Sequence, residues 1–295
     1  MGDLAVVVVT HDSAHDLEAC VASVLTHRGD ADVDIVVCDS GSSDDVEAVA
    51  RRLPVDFLRG PNRGFAAGCN RGIEMAQRTG ARYVLFLNPD VRLAEGTLSD
   101  LIAECERRPR AGVVTVRQLD QHGRLVRNIG RPSTPAAYWR MALMGRSELE
   151  WDSSSYDTER SCAWVVGSFL LARRETIDQL GGFDERFFLY RDDVDLCRRA
   201  RAAGWDVRYL PILTTTHAVA DRPFDLHREQ LLALSKLLYA RKWYPGWRST
   251  AMRAGLVLFY ARHLLKQRRA GFAGQREWTH LKATLRPNWD HYGPA

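Results

Sequence analysis

The sequence predicts an α/β protein in which a Rossmann-like, mostly parallel sheet is flanked by helices and followed by a C-terminal helical segment. Short apolar runs typical of buried strands alternate with stretches of helical periodicity. That order favours parallel strands joined by right-handed crossovers. Polar and turn-forming residues follow the apolar runs, as ligand-binding loops follow the strands of an open α/β sheet.

The predicted elements follow one another with short connections. We expect strands at residues 4–10, 33–38, 55–58, 83–87, 112–117, 165–172 and 207–210. We expect helices on the apolar stripe of Leu17, Val21, Val24 and Leu25, and at residues 65–79, 95–107, 193–203, 224–243 and 250–268. Residues 118–160 are polar and irregular, and they predict a hairpin or an excursion such as a mobile acceptor loop.

Turn chemistry indicates where several elements end. The fourth apolar run stops at Pro89, which has no N–H for a central ladder and therefore delivers Asp90 just beyond the strand. The Ser and Asp residues at 39–45 are typical of a helix N-terminus. The Gly-Pro-Asn-Arg-Gly run at 60–64 turns the chain into the next helix.

Composition argues against several classes of protein. No apolar run reaches the ~18 residues that a membrane span needs, and residues 4–10 lead directly into a strand without a signal peptide. The six cysteines include no C-x-x-C pair, which favours reduced structural thiols over a disulfide framework or a zinc site. We therefore expect a cytoplasmic protein, either free or peripheral on the inner face of the plasma membrane.

Carboxylates follow the predicted strands. Asp12, Asp39, Asp44 and Asp90 are expected at the carboxyl edge of the sheet, where clustered charges require a cation or hydrogen-bond donors. A carboxylate there can hold a divalent cation, and the cation a phosphate. By itself, however, the Asn-Pro-Asp run at 88–90 favours a simple turn. Glycine-rich dinucleotide and phosphate-binding motifs are absent.

A second acidic group lies downstream. Asp192, Asp193 and Asp195 are expected at the start of a helix, where the helix dipole favours anions. Asp192 and Asp193 are either N-terminal caps or functional carboxylates, whereas Asp195 is expected to pair with an arginine three or four residues on. His217 follows an apolar strand and three threonines, and it is structural unless the fold brings it to Asp90.

Taken in order, these short motifs resemble the family 2 inverting glycosyltransferases of the GT-A fold, most closely the bacterial rhamnosyltransferase-like branch. The resemblance covers residues 4–220 and rests on Thr10-His11-Asp12, Asp39-Ser40-Gly41-Ser42, Asn62-Arg63-Gly64-Phe65, Asn88-Pro89-Asp90, Gly167-Ser168-Phe169, Gly182-Phe183-Asp184-Glu185 and Asp192-Asp193-Val194-Asp195-Leu196-Cys197. It implies a nucleotide-sugar-binding catalytic domain at 1–222 and a basic helical segment at 223–295 on the acceptor or membrane side.

The resemblance also implies roles for individual residues. Those on the nucleotide and donor side are Thr10, His11, Asp39, Asn62, Arg63, Asn88 and Asp90, and those on the acceptor side are Trp164, Gly167 and Asp184. Asp193 matches the catalytic base, beside Asp192. Asp90 and His217 are expected to hold Mg²⁺ or Mn²⁺. The family's first metal-motif Asp is Asn88 here, so the motif supplies one anionic ligand.

The implied reaction is an inverting transfer of a sugar, best matched by L-rhamnose from dTDP-rhamnose, to a hydroxyl of a cell-envelope glycan or lipid-linked acceptor. A UDP-hexose donor with a small natural product or a polysaccharide as acceptor is the alternative, because thymine and uracil differ by one methyl group. A sugar-1-phosphate nucleotidyltransferase is disfavoured, since the run at 10–13 is not the Gly-rich loop of that class. A non-catalytic binding module would need no Asp193.

The positive charge is concentrated near the C-terminus. Residues 228–286 contain thirteen Lys or Arg and two Asp or Glu. Such a segment suits a membrane surface or the diphosphate of a polyprenyl-linked acceptor. Alternatively, its apolar stripe packs on the catalytic domain and its charges are solvated. No recognition motif accompanies the charge, so nucleic acid is not expected. The oligomeric state stays open, with a dimer among the outcomes.

Overall fold

The computed structural model describes most of the chain, namely residues 2–145, 148–149, 152–218, 225–289 and 292. The chain divides into two compact units. The first comprises residues 1–130, 150–185 and 192–222, and the second comprises residues 131–149, 186–191 and 223–295. The expected boundary between residues 222 and 223 lies outside the described residues. Besides the C-terminal segment, the second unit takes in two shorter stretches of the chain.

The elements are numbered along the chain. The strands are β1 (Leu4–Thr10), β2 (Val33–Ser40), β3 (Asp56–Gly60), β4 (Tyr83–Leu87), β5 (Val91–Glu95), β6 (Ala111–Leu119), β7 (Ile129–Gly130), β8 (Arg160–Ser161), β9 (Trp164–Val165), β10 (Phe169–Arg173) and β11 (Asp206–His217). The helices are α1 (Ala14–Thr26), α2 (Val46–Ala50), α3 (Phe65–Thr79), α4 (Leu98–Glu106), α5 (Pro135–Met144), α6 (Arg174–Leu180), α7 (Asp192–Ala202), α8 (Leu226–Trp243), α9 (Trp247–Arg269) and α10 (Gln275–Leu285).

The first unit is built on a mixed sheet with the order β3-β2-β1-β4-β10-β6-β11-β5, with β8 paired to β11. Strands β1 to β4 pair in parallel, as do β6 and β11, whereas β10 and β5 run antiparallel to their neighbours. The carboxyl ends of six strands therefore meet the amino ends of β10 and β5 at one edge of the sheet. Ligands bind at this edge in open α/β sheets.

Burial explains why the central strands form. All seven residues of β1 and all five of β4 are buried, as expected of strands covered on both faces. Strand β4 ends at Leu87, in front of Pro89, as the sequence predicts. Helix α3 approaches β1 closely because Gly68 and Gly72 carry no side chain. A Cβ at Gly72 would lie 2.2 Å from Val7 Cγ1.

The structure differs from the predicted elements in several places, among them the unpredicted helices α6 and α10 and strand β11, which extends to His217 beyond the expected 207–210. The helix expected at 95–107 begins only at Leu98, after the unpredicted strand β5 and a turn at Gly96, whose φ is 80°. The strand expected at 165–172 is divided into β9 and β10. Residues 118–160 contain helix α5, which Thr134 caps by accepting a hydrogen bond from Ala137 N–H. Thr134 followed by Pro135 is the sequence signal for this helix.

The second unit is helical. Its apolar core is formed by buried side chains of α5, α8, α9 and α10, including Tyr138, Met141, Leu237, Met252, Leu256, Tyr260, Leu264 and Leu281. The apolar stripe that the sequence shows at 250–268 therefore packs inside this unit. Within the described parts of the chain, no helix is long and apolar enough to cross a membrane.

Candidate active site at the carboxyl edge of the sheet

The ends of β1 and β2 meet at a buried carboxylate. Asp39 and Thr10 are fully buried, and Thr10 Oγ1 donates a hydrogen bond of 3.3 Å to Asp39 Oδ1. The backbone N–H of Ser42 donates to Asp39 Oδ2 at 3.2 Å, and the Ser42 hydroxyl donates to Oδ1. Arg59 Nε lies 3.9 Å from Oδ2. The carboxylate of Asp39 is thus fixed in position by donors from its own and the neighbouring loop.

His11 and Asn62 lie together above this carboxylate's strand. His11 Nδ1 lies 2.9 Å from the carbonyl oxygen of Ser40. Because a carbonyl can only accept, this contact places the ring proton on Nδ1. His11 Nε2 then accepts from Asn62 Nδ2 at 3.5 Å. The imidazole is therefore oriented through both of its nitrogens. The His11 side chain is 49% exposed and can contact a ligand.

Arg63 is directed by an acidic partner. Its Nη2 lies 3.6 Å from Glu185 Oε2, with both side chains more than one third exposed. Such an exposed pair contributes little to stability. It does, however, connect the loop before α3 with the Gly-Phe-Asp-Glu turn at 182–185. Asp184, an expected acceptor-side residue, lies half-buried in that turn.

Asn70 holds the same turn, and the sequence reasoning did not single it out. Its Nδ2 donates to the Phe183 carbonyl at 3.0 Å and to Glu185 Oε1 at 2.9 Å, while its Oδ1 accepts from Phe183 N–H at 2.8 Å. Gly182 is required beside it, because a Cβ there would lie 2.6 Å from Asn70 Oδ1. A polar residue among the buried positions of α3 was the available signal.

Asp90 and His217 are brought together by the sheet. His217 pairs with Val91 in the ladder of β11 and β5, and its Nε2 lies 3.3 Å from Asp90 Oδ1. Both side chains are largely buried, with exposures of 6% for His217 and 14% for Asp90. Asn88 is fixed next to them through its N–H, which donates to the Ser168 carbonyl at 3.0 Å. The sequence made His217 a candidate only if it met Asp90, and the structure places the two in contact.

The pair of Asp90 and His217 fits a divalent cation as a partial ligand set. Adjacent ligands of an octahedral Mg²⁺ or Mn²⁺ lie about 3 Å apart, close to the observed separation. An imidazole nitrogen suits Mn²⁺ better than Mg²⁺. Among the residues that the structure describes, no group of three or more His, Cys, Asp or Glu side chains could hold a metal. A cation here would therefore leave most of its coordination positions to phosphate oxygens and water.

The two carboxylates at the start of α7 differ in environment. Asp192 is buried, and burial together with the adjacent Asp193 charge raises the pKa of its carboxyl well above the usual value. Asp193 is partly exposed. Its Oδ2 accepts from Gly167 N–H at 2.8 Å and its Oδ1 from Val194 N–H at 2.7 Å. Of the two, Asp193 is therefore the carboxylate that a ligand can reach.

Asp195 has the structural role that its spacing predicts. It is fully buried and pairs with Arg199 Nε at 2.8 Å. Arg199 also donates to the carbonyl of Gly182 at 2.8 Å. This ion pair ties α7 to the 182–185 turn.

Two of the residues expected on the acceptor side lie close in sequence, Trp164 in β9 and Gly167 in the connection from β9 to β10. Trp164 is 6% exposed, and its indole covers Gly130, where a Cβ would lie 1.9 Å from Trp164 Cε2. A Cβ at Gly167 would lie 3.5 Å from Asp193 Cβ and 3.6 Å from Phe65 Cε1. Phe65, Gly167 and Asp193 thus lie close together. The resemblance implied an acceptor-side role for Gly167 and the role of base for Asp193, and no role for Phe65.

Two further strand-end carboxylates have structural partners. Asp12 has a φ of 51°, and its Oδ1 accepts from Ser43 N–H at 2.7 Å, a bond that lowers the pKa of this carboxyl. Asp44 Oδ2 accepts from Ala14 N–H at 2.7 Å, at the start of α1. Hydrogen-bond donors therefore offset these two charges.

Comparison with known proteins identifies the class that this fold and site define. The sequence matches the family described as Glycosyl transferase family 2 over residues 5–180. The chain belongs to glycosyl transferase family 2 and has the GT-A fold, and it is a glycosyltransferase. A mannosyltransferase from Pyrobaculum calidifontis, solved with GDP-Man and Mn²⁺, is similar in fold, with a TM-score of 0.56 and 18% identity over 97% of this chain and 87% of that one.

Two curated relatives are rhamnosyltransferases. The N-acetylglucosaminyl-diphospho-decaprenol L-rhamnosyltransferase of Mycobacterium tuberculosis is 33% identical over 241 residues, which span 72% of this chain and 75% of the relative. The rhamnosyltransferase WbbL of Escherichia coli is 25% identical over 169 residues, which span 55% of this chain and 64% of the relative. The chain therefore resembles the rhamnosyltransferase branch of the family.

Proposed function

We propose that this protein transfers L-rhamnose from dTDP-rhamnose to a hydroxyl of a polyprenyl-diphosphate-linked glycan, with inversion at the anomeric carbon. The observation that carries the proposal is the similarity to a relative named for L-rhamnosyl transfer to N-acetylglucosaminyl-diphospho-decaprenol, which extends over most of both chains. A cytoplasmic enzyme peripheral to the inner face of the plasma membrane would meet both substrates. A dimer is compatible with this function but is not required by it.

The donor nucleotide binds where β1, β2 and α3 meet. Asp39 accepts a hydrogen bond from the N3–H of thymine, next to Thr10, and the ring of His11 stacks on the base. Asn62 holds His11, and Arg63 lies close to the diphosphate, oriented by Glu185. Because Asp39 is already fixed by donors, the carboxylate loses little conformational freedom on binding.

Asp193 acts as the general base. It removes the proton from the acceptor hydroxyl, whose oxygen attacks the anomeric carbon opposite the departing nucleoside diphosphate. Gly167 N–H holds the carboxylate at 2.8 Å in one orientation. Asp192, whose pKa is raised, stays protonated beside Asp193 over a wider pH range than an ordinary Asp and therefore does not compete for the role. Trp164 and Asp184 belong to the acceptor side.

Asp90 and His217 would hold Mg²⁺ or Mn²⁺, with Asn88 next to the nucleotide ribose or a metal-bound water. When bound, the cation neutralises the charge that develops on the leaving diphosphate. With one carboxylate in the ligand pair, we expect weak metal affinity before the nucleotide is present.

A panel of sugar nucleotides tests the function. The purified protein is incubated with dTDP-rhamnose, UDP-glucose or UDP-N-acetylglucosamine, each with and without Mn²⁺, and its melting temperature is measured. Transfer is then assayed with a polyprenyl-diphospho-N-acetylglucosamine acceptor. We expect the largest metal-dependent stabilisation and transfer with dTDP-rhamnose. Faster transfer from a UDP-hexose than from dTDP-rhamnose would identify the UDP-hexose as the donor. Pyrophosphate-dependent turnover of a sugar nucleotide would indicate a nucleotidyltransferase.

A further inference from the structure

Helix α5 exposes an apolar face that nothing in the described chain covers. The exposed positions recur at i, i+3, i+4, i+7 and i+8, and they are Ala136, Trp139, Arg140, Leu143 and Met144. Trp139, Leu143 and Met144 are 38%, 62% and 64% exposed. The opposite face is also apolar, since Tyr138 and Met141 lie in the core of the second unit. A helix that is apolar all round is normally buried, so the outer face of α5 calls for a partner.

Helix α9 runs beside α5 in the same direction. Gly255 allows the close approach, because a Cβ there would lie 3.3 Å from the Tyr138 carbonyl oxygen. Two helical turns after Gly255 on α9, Arg262 Nη1 donates to the carbonyls of Ala142 and Leu143 at 2.6 and 2.7 Å. Arg262 therefore satisfies the C-terminal end of α5 and sets a cation next to the exposed Leu143.

The charge of this helix pair has one sign. Neither α5 nor α9 contains an Asp or Glu, and their basic residues are Arg140, Arg248, Arg253, Arg262, Lys266, Arg268 and Arg269. Leu265, which is 56% exposed, lies among the basic residues at the end of α9. Exposed apolar side chains surrounded by cations match an interface of lipid tails and anionic headgroups. Two copies of the same surface would repel each other, which disfavours a self-dimer here.

We propose that the outer face of α5 and the adjoining face of α9 form the membrane-docking surface of this protein, with Leu143 and Met144 entering an anionic lipid monolayer. The inference rests on the proposed function, because it supplies the route to a lipid-linked acceptor. It differs from the expectation drawn from the sequence, where the basic segment at 228–286, which carries the apolar stripe at 250–268, was the candidate for a membrane surface. That stripe is buried, whereas α5 lies outside the basic C-terminal segment.

Vesicle flotation tests the surface. Wild-type protein is floated with vesicles of phosphatidylcholine alone and of phosphatidylcholine mixed with phosphatidylglycerol. The test variant combines Leu143→Ser and Met144→Ser, and the control is Ile212→Ser, which removes a 40% exposed aliphatic side chain from the first unit. We expect wild type and control to bind the mixed vesicles and the double variant to bind at least tenfold more weakly.

The electrostatic contribution is tested by a second pair of variants. Lys266→Glu with Arg269→Glu changes two exposed cations of α9, whereas Lys282→Glu changes an exposed cation of α10. Losing each cation near the surface is expected to weaken binding about fivefold. The double change should therefore weaken vesicle binding more than the control change does. This difference should become smaller at high salt, because salt screens the charges. Far-ultraviolet circular dichroism and melting temperatures confirm that each variant is folded.

A label at residue 143 reports insertion directly. Burial raises the pKa of the native thiols, to about 12 for Cys20, Cys38, Cys105 and Cys162. A maleimide fluorophore should therefore react preferentially with Leu143→Cys. We expect its emission to shift to the blue on anionic vesicles, and that of labelled Ile212→Cys to stay unchanged.

The proposal is overturned if wild type binds neither vesicle, or if the Leu143→Ser, Met144→Ser variant floats as wild type does. It is also overturned if the Ile212→Ser control loses binding to the same extent. Transfer to a water-soluble acceptor analogue separates the two hypotheses. Normal transfer without vesicle binding contradicts the docking surface alone, and vesicle binding without transfer from any sugar nucleotide contradicts the proposed function alone.

Discussion

At the carboxyl edge of the sheet, the loops after β1 and β2 surround their carboxylates with N–H and O–H donors, whereas α7 begins with two carboxylates side by side. Donors lower the pKa of Asp12, and burial beside a second carboxylate raises that of Asp192. The first arrangement holds an ionised group rigidly, as binding requires. The second places a carboxyl group with a raised pKa next to a carboxylate that can accept a proton, as proton transfer requires.

A large effect on transfer is expected from Asp90→Asn, which keeps the shape of the side chain and removes its charge. Without this carboxylate, the diphosphate loses most of the charge stabilisation that a cation would supply. Several kcal/mol correspond to a fall of about a thousandfold in kcat/KM. The measurement is steady-state transfer at saturating Mn²⁺, together with the Mn²⁺-dependent thermal shift on donor addition. Asp100→Asn on α4 is the control, and an unchanged thermal shift in Asp90→Asn would place the cation elsewhere.

A smaller effect, on affinity alone, is expected from Asp39→Asn on the donor-binding side. A hydrogen bond to a charged group is worth about 1.5–3 kcal/mol, so the donor Kd should rise roughly 10- to 150-fold while kcat at saturation changes little. Calorimetric titration with dTDP measures the affinity. The matched control is Asp44→Asn, which removes a carboxylate of the same loop that bonds to Ala14 N–H. Equal losses of affinity in both variants would mean that the loop, not Asp39, was disturbed.

The smallest effect is on stability and depends on pH. Because the folded-state pKa of Asp192 is raised, its neutral carboxyl stabilises the fold below the ordinary pKa of about 3.9, and this stability is lost as pH rises through the folded-state pKa. Asp192→Asn cannot ionise. Its melting temperature relative to wild type should therefore increase as the pH rises above about 4. Asp178→Asn, at an exposed position on α6, should show no such trend, and a flat difference for Asp192→Asn would refute the assignment.

The first half of the fold could be predicted because its signals are local. The apolar run of β4 and the proline after it specify where that strand ends, and β1 is apolar from Leu4 to Val9. Strand β5 was missed because Arg92 and Glu95 interrupt its apolar run, and its ladder with β11 depends on residues far along the chain. Helix α5 was missed because it is apolar on both faces and so lacks the periodicity of an amphipathic helix.

In the candidate site too, residues in local motifs could be predicted, whereas contacts between distant parts of the chain could not. Motif order identified Thr10, Asp39 and Asp193 as candidates, and each lies at the sheet edge or at the helix start beside it. The contact between His217 and Asp90 depends on the register of two antiparallel strands, which no local pattern encodes. The bonds of Asn70 to residues 183 and 185 join parts of the chain that are more than a hundred residues apart.

Asp193 is the proposed base, and the rest of the sheet edge is the proposed donor site. Asp193→Asn keeps the acceptor groups for Gly167 N–H and Val194 N–H but cannot take up a proton. A general base contributes about 10²–10⁴-fold, so kcat should fall within that range. The donor Kd should stay within about twofold of wild type. Asp206→Asn, at the opposite end of β11, serves as the control.

The decisive measurement is single-turnover transfer from dTDP-rhamnose by Asp193→Asn at saturating donor and Mn²⁺, with the donor Kd measured on the same preparation. We expect a rate lower by a factor of about 10²–10⁴ with unchanged donor affinity. A transfer rate within a few-fold of wild type would remove Asp193 from the role of base.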